Sequence, residues 1–109
     1  MSFNIIPTPP FEKELKQLAK KYPSIKSDIT ALAIKLQQDP KMGTPLGNDC
    51  YKIRMAISSK GKGKSGGARV ITYVQVVETN IFLLSIYDKA DAANISDKEL
   101  QERLKRLNK

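Results

Sequence analysis

The chain has 109 residues, enough for one domain with its own core and too few for two ordinary ones. A net charge of +8 favours an anionic partner, and 40% hydrophobic residues in periodic segments exclude disorder across the whole chain. The single cysteine excludes an internal disulfide, and the lack of histidine removes the usual general base and the commonest metal ligand, hence a histidine triad or an ordinary zinc site.

In chain order, Ser2 to Pro7 reads as a short first strand around Phe3-Asn4-Ile5-Ile6. Thr8-Pro9-Pro10 then reads as a helix start, since threonine can cap and proline fits the first helical turn. Phe11, Leu15, Leu18 and Ala19 recur at helical spacing up to Tyr22, and Pro23 ends that helix. Ser24 can cap a second helix whose apolar stripe is Ile25, Ile29, Leu32, Ala33 and Leu36, with Asp39-Pro40 as its stop. So short a turn between the two predicts an antiparallel helical hairpin. Residues 41 to 49 read as a loop.

Residues 50 to 69 hold six basic residues and no acidic one. From Cys50 to Ile57 the pattern alternates strictly, so Tyr51, Ile53, Met55 and Ile57 share one face of a strand and Lys52 and Arg54 the other. A strand that gives its apolar face to a core and shows Lys52 and Arg54 opposite builds a rigid cationic surface, suited to a polyanion such as nucleic acid. Lys60 to Gly67 is rich in Gly, Lys and Ser and reads as a flexible loop of about residues 59–67, either a solvated linker or an arm in which Lys60, Lys62 and Lys64 meet phosphates. A third strand runs from about Ala68 to Val77, Glu78-Thr79-Asn80 turns, and a fourth runs from Ile81 to Tyr87. With Val70, Thr72, Val74 and Val76 on the core side, Arg69 and Tyr73 face the other way; with Phe82, Leu84 and Ile86 in the core, Tyr87 joins them. Tyr73 and Tyr87 are then either packing aromatics or groups that stack on a base or donate a proton. Ser96-Asp97-Lys98-Glu99 is a capping box opening a last helix with Leu100, Leu104 and Leu107 inward. Cys50 reads as a packed small hydrophobe.

These elements give an α+β fold of order β-α-α-β-β-β-α, with a small, mostly antiparallel sheet packed against an N-terminal helical hairpin and a C-terminal helix. One domain, residues 1–109, is expected. The longest strongly apolar run, Ile81 to Ile86, is far too short to span a membrane, so no membrane partner and a cytoplasmic location are expected.

This order, with Cys50-Tyr51-Lys52-Ile53-Arg54 opening the second strand and Gly67-Ala68-Arg69-Val70-Ile71-Thr72-Tyr73-Val74 forming the third, resembles the RelE/ParE superfamily of bacterial toxins. The Gly-Thr-Pro-Leu-Gly-Asn loop and the Ser-Ile-Tyr-Asp-Lys end of the fourth strand fit as well. The resemblance implies a toxin of a type II toxin–antitoxin pair. In the RelE/HigB-like branch it implies a metal-independent endoribonuclease, without cofactor, that cuts messenger RNA on the ribosome and so inhibits translation. It also implies a cognate antitoxin that covers the basic face. By the same resemblance Lys52 stands for a catalytic lysine, Arg54 for a second one, Arg69 for an arginine of the third strand, and Lys89 for an arginine after the fourth. The tyrosine that RelE toxins carry further on is absent; Ile95 stands there.

Cleavage without metal or histidine requires a base for the 2′-hydroxyl, offset of charge on the phosphorane and a proton for the 5′-oxygen. A lysine among other cations can supply the base, and arginines can clamp phosphate. Lys52, Arg54 and Arg69 meet these needs if they share a face, with Tyr87 and Lys89 nearby. Two other readings stand: a ParE-like, non-enzymatic inhibitor of DNA gyrase, and an RNA-binding relative that has lost cleavage.

Overall fold

The computed structural model describes residues 3–92 and 94–107. Ser2, placed above at the start of the first strand, lies outside them. The elements are β1 (Asn4–Pro7), α1 (Pro9–Ala19), α2 (Ile25–Gln38), β2 (Thr44–Gly47), β3 (Cys50–Met55), a short 3-10 turn (Ser58–Lys60), β4 (Ala68–Gln75), β5 (Asn80–Asp88) and α3 (Asp97–Leu107). The fold is α+β, as the sequence pattern predicts. One element is new: the expected loop contains β2, which pairs antiparallel with β3 along the edge of the sheet.

The five strands lie in the order β1-β5-β4-β3-β2. β1 runs parallel to β5, and the other pairings are antiparallel. Proline within the first helical turn and the break at Pro23 set the hairpin of α1 and α2, as read from sequence. Thr8 occupies the cap position, but its hydroxyl donates to the Leu83 carbonyl at 2.8 Å and ties the helix start to β5 instead.

The hairpin covers one face of the sheet. Phe11, Ile25, Leu32 and Leu36 pack there against Ile53, Met55, Val70, Val74, Ile81 and Ile86. The other face carries a smaller cluster of Cys50, Ile71, Leu84 and Leu100, bordered by Tyr73, Phe82, Tyr87, Ile95, Leu104 and Leu107. The α3 side chains expected inward are the ones that cover it. The capping box is half made: the Glu99 amide donates to the Ser96 hydroxyl at 3.1 Å, while the Glu99 carboxylate accepts from Arg103 one turn on at 3.1 Å.

Strand parity holds on β3 and breaks on β5. The β4–β5 register shifts between Ile71 and Thr72, so Leu84 is an extra residue on β5. Beyond this bulge Ile86 rejoins Ile81 and Leu83 under the hairpin, while Phe82 and Leu84 lie under α3. The uniform inward facing of Phe82, Leu84 and Ile86 is therefore corrected by one inserted residue. Val76, expected in the core, lies past the end of β4 and is half exposed.

Candidate nucleic-acid interface

The α3 side of the sheet is where the sequence-predicted residues meet. In the ladder, Arg54 on β3 stands opposite Arg69 on β4, which stands opposite Tyr87 on β5. One row along, Lys52 stands opposite Ile71. Period-2 alternation puts Cys50, Lys52 and Arg54 on one face because Tyr51, Ile53 and Met55 are drawn to the hairpin core. Arg54 is exposed and Lys52 half-buried. The Lys52 ammonium donates to Asn94 Oδ1 at 2.6 Å. Asn94, from the connection before α3, is a contact the sequence reading missed. As a neutral amide it orients the lysine without cancelling its charge.

Arg69 is not the exposed side chain that parity suggested. It is 4% exposed. Its guanidinium donates to the carbonyls of Lys64 at 3.0 Å, Ala68 at 3.1 Å and Ser65 at 3.5 Å. The basic loop folds back over this end of the sheet and caps the arginine. Gly67 permits that approach: a Cβ there would lie 2.1 Å from the Met55 carbonyl oxygen, a clash no side chain avoids. Arg69 therefore places its charge behind the row and holds Lys64 by its backbone.

Lys60 departs furthest from its expected role. Its ammonium lies 2.8 Å from Asp88 Oδ1, with its side chain mostly buried, and sits over the Tyr22 ring. Asp88 also accepts from the Tyr22 hydroxyl at 2.5 Å and from the Ala90 amide at 3.0 Å. Burial pushes the Asp88 carboxyl up, and the Lys60, Tyr22 and Ala90 hydrogen bonds outweigh it and hold it at about 2. The hydrogen bond to Asp88 in turn raises Lys60 above the ordinary lysine range. Lys60 fastens the loop to the sheet and is withdrawn from the exposed cations of the loop. Lys62 and Lys64 remain exposed.

Tyr73 is half-buried and stacks on Phe82, ring centroids 6.0 Å apart, so one of its faces is already occupied. The Tyr87 hydroxyl is buried without a hydrogen-bond partner among the described residues. Burial raises its pKa, against the opposing pull of the nearby Ile95 backbone and of the Arg69 charge, and it stays protonated at neutral pH. Lys89 is exposed just past β5, and its amide donates to the Gly67 carbonyl at 3.0 Å. Cys50 is buried, and burial together with the Asp49 charge pushes its thiol up to about 11, as befits a packed hydrophobe.

Arg103 on α3 is the other residue missed. It grips Glu14 of α1 through two bonds of 2.8 and 2.9 Å and donates to the Leu84 carbonyl at the bulge at 2.7 Å. Only its Glu99 partner was legible, from the i, i+4 spacing.

Comparison with known proteins places this geometry. The family described as RelE toxin of the RelE / RelB toxin-antitoxin system matches residues 11–109. Among solved structures, a doubly arginine-to-alanine variant of the Escherichia coli toxin RelE in the free state superposes with a TM-score of 0.65 at 17% identity, over 97% of this chain and 98% of that one. A chain of the intact Escherichia coli RelBE toxin–antitoxin complex gives 0.61 at 17% identity, over 80% and 96%. A chain of the toxin–antitoxin complex RelBE2 from Mycobacterium tuberculosis gives 0.60 at 16% identity, over 81% and 99%.

Proposed function

The chain belongs to the RelE toxin family, and from that premise we propose that it is the toxin of a type II toxin–antitoxin pair that cleaves messenger RNA on the ribosome. The observation that carries this reading is the face on which Lys52 and Arg54 stand beside Arg69 and Tyr87 with no carboxylate paired to them among the described residues. In the proposed reaction Lys52, having first released its own proton to solvent, accepts the 2′-hydroxyl proton as a neutral amine. The 2′-oxygen attacks phosphorus, the bond to the 5′-oxygen breaks, and a 2′,3′-cyclic phosphate remains. Arg54 faces the phosphorane oxygens, where negative charge builds. Lys89 supplies the proton to the departing 5′-oxygen. Arg69 and Tyr87 act from beneath the surface, Arg69 as a positioning residue that also adds positive field. Lys62 and Lys64 contact phosphates flanking the cut.

With no histidine and few proton-transfer groups, the protein relies on the ribosome to align the RNA. Naked RNA is therefore cut poorly. The antitoxin of this reading presents acidic residues to the basic face and an apolar anchor to the hairpin, where Ile34 is 58% exposed. Translating ribosomes place this action in the cytoplasm.

Induction in cells, followed by mapping of transcript 5′ ends, tests the reading. Cuts in phase with codons of translated messages are expected. Intact transcripts with DNA damage would replace it with gyrase inhibition. The capped Arg69 favours one further reading, an RNA-binding relative without cleavage; intact transcripts that nevertheless co-purify with the protein would select it.

A further inference from the structure

A cleft of about 190 Å³ opens between α2, the C-terminal end of β3 and the basic loop. Its floor is apolar and soft, from Leu32, Met42 and Met55, and its rim carries Lys35, Arg54 and Lys64. No ion pair among the described residues engages any of those three cations. The one carboxylate at the cleft is already committed: Asp28 accepts from the Ser58 amide at 3.0 Å, the Ser58 hydroxyl at 2.6 Å and the Ser24 hydroxyl at 2.9 Å. Arg54 belongs both to this cleft and to the row described above, so the two are continuous.

We propose that this cleft is a subsite for one unstacked nucleotide of a single-stranded RNA, its base on the methionine floor and its phosphate against Lys35, Arg54 and Lys64. The choice of RNA as the polyanion rests on the proposed function. The volume lies below the roughly 300–1,000 Å³ of drug-sized ligand sites, which suits one planar ring and not an extended cofactor. Thioether sulfur makes favourable contacts with aromatic rings and tolerates their differences. Stacking of this kind accepts any base, while cations at the rim secure the backbone. Arg69 shapes the site from behind: its bond to the Lys64 carbonyl fixes the loop that forms one wall. A nucleotide held here would anchor the strand beside Lys52 and Arg54.

The test uses the full chain with adenosine 5′-monophosphate as probe, followed by amide shifts. Saturable shifts are expected at Ala31, Lys35, Ala56 and Ser58. Ala31 lines the cleft from an exposed position on α2, so Ala31→Trp fills the cleft without entering the core. It should weaken binding about tenfold, which is about 1.4 kcal/mol. Lys35→Met keeps the aliphatic stem and should weaken binding several-fold with a shallower salt dependence. Shifts confined to the α3 face, or unchanged affinity in both variants, would overturn the proposal. So would cleft shifts produced by an acidic peptide and not by the nucleotide, which would assign the cleft to a protein partner. Transcript cleavage by the wild type is scored separately. Cleavage without nucleotide shifts in the cleft overturns the subsite alone. Cleft binding with intact transcripts supports the subsite and sinks the cleavage reading.

Discussion

The two faces of the sheet are built to different rules. The hairpin face is sealed by two helices and lined almost wholly by aliphatic side chains, many of them fully buried. The α3 face has one short helix, a four-residue buried cluster and a margin of charged and aromatic groups. A dense apolar layer gives stability and leaves no room for polar chemistry. A thinner layer leaves polar groups at its edge, held in place by the rigid strands beneath. Stability and the proposed cleavage chemistry are thus divided between opposite sides of β3, by alternate residues of one strand, while Arg54 near its end also reaches the cleft beside α2.

The largest expected effect tests that division from the α3 side. Lys52→Ala with Arg54→Ala should lower cleavage of translated RNA by about a hundred- to a thousandfold, the scale of a lost charge-stabilising donor. Thermal unfolding should hardly move, because truncating these side chains opens no cavity. Cleavage at the wild-type rate would remove both residues from the site.

Leu36→Ala makes the opposite experiment. Leu36 is completely buried beneath the sheet, so its loss should cost about 2–5 kcal/mol in urea unfolding. The surviving folded fraction should cleave at the normal specific rate. A rate loss beyond the folded fraction would show that the two faces are not independent.

Asp88 lies at the seam, with its carboxyl on the hairpin side and its chain one residue from Tyr87. Its folded pKa, about 2, is below the ordinary 3.8. The stability it confers is therefore present above about pH 4 and is lost as pH falls toward 2, on the order of 2 kcal/mol. Asp88→Asn should be less stable than the wild type at pH 7, with the gap closing across that window. Unfolding curves at pH 7, 4 and 2.5 measure it; a gap that stays constant would deny the carboxylate its role. The same variant should loosen the loop that caps Arg69.

The smallest effect concerns the thin face itself. Arg103→Met leaves Glu14 with only the Ile86 amide and frees the bulge carbonyl, and should cost about 1–2 kcal/mol. Because α3 covers only the thin face, its amide exchange should quicken while exchange in α1 and α2 does not. Uniform quickening of all three helices would make Arg103 a global staple.

Local regularities carried most of the fold. Alternation from Cys50 to Ile57 put Lys52 and Arg54 together, since a strand has only two faces and the core claims one. Pro9, Pro23 and Pro40 bounded the two helices because each restricts the backbone at its own position, whatever the rest of the chain does. Arg69 was assigned to the same face as Lys52 by the same parity, and the ladder puts it there; Tyr87 stands opposite Arg69 because it lies past the Leu84 bulge.

What sequence could not supply was contact between distant segments. The Leu84 bulge is a mismatch between two strands, so it is invisible in either one. Lys60 reads as one more loop lysine until the fold brings it to Asp88, 28 residues away, and Arg103 meets Glu14 across 89. Arg69 was rightly placed and wrongly thought open, because its exposure depends on where the loop before it folds. Periodicity belongs to a single segment and is written in its residues. Burial, pairing and register belong to the surfaces that several segments share, and only the assembled fold decides which charge remains free.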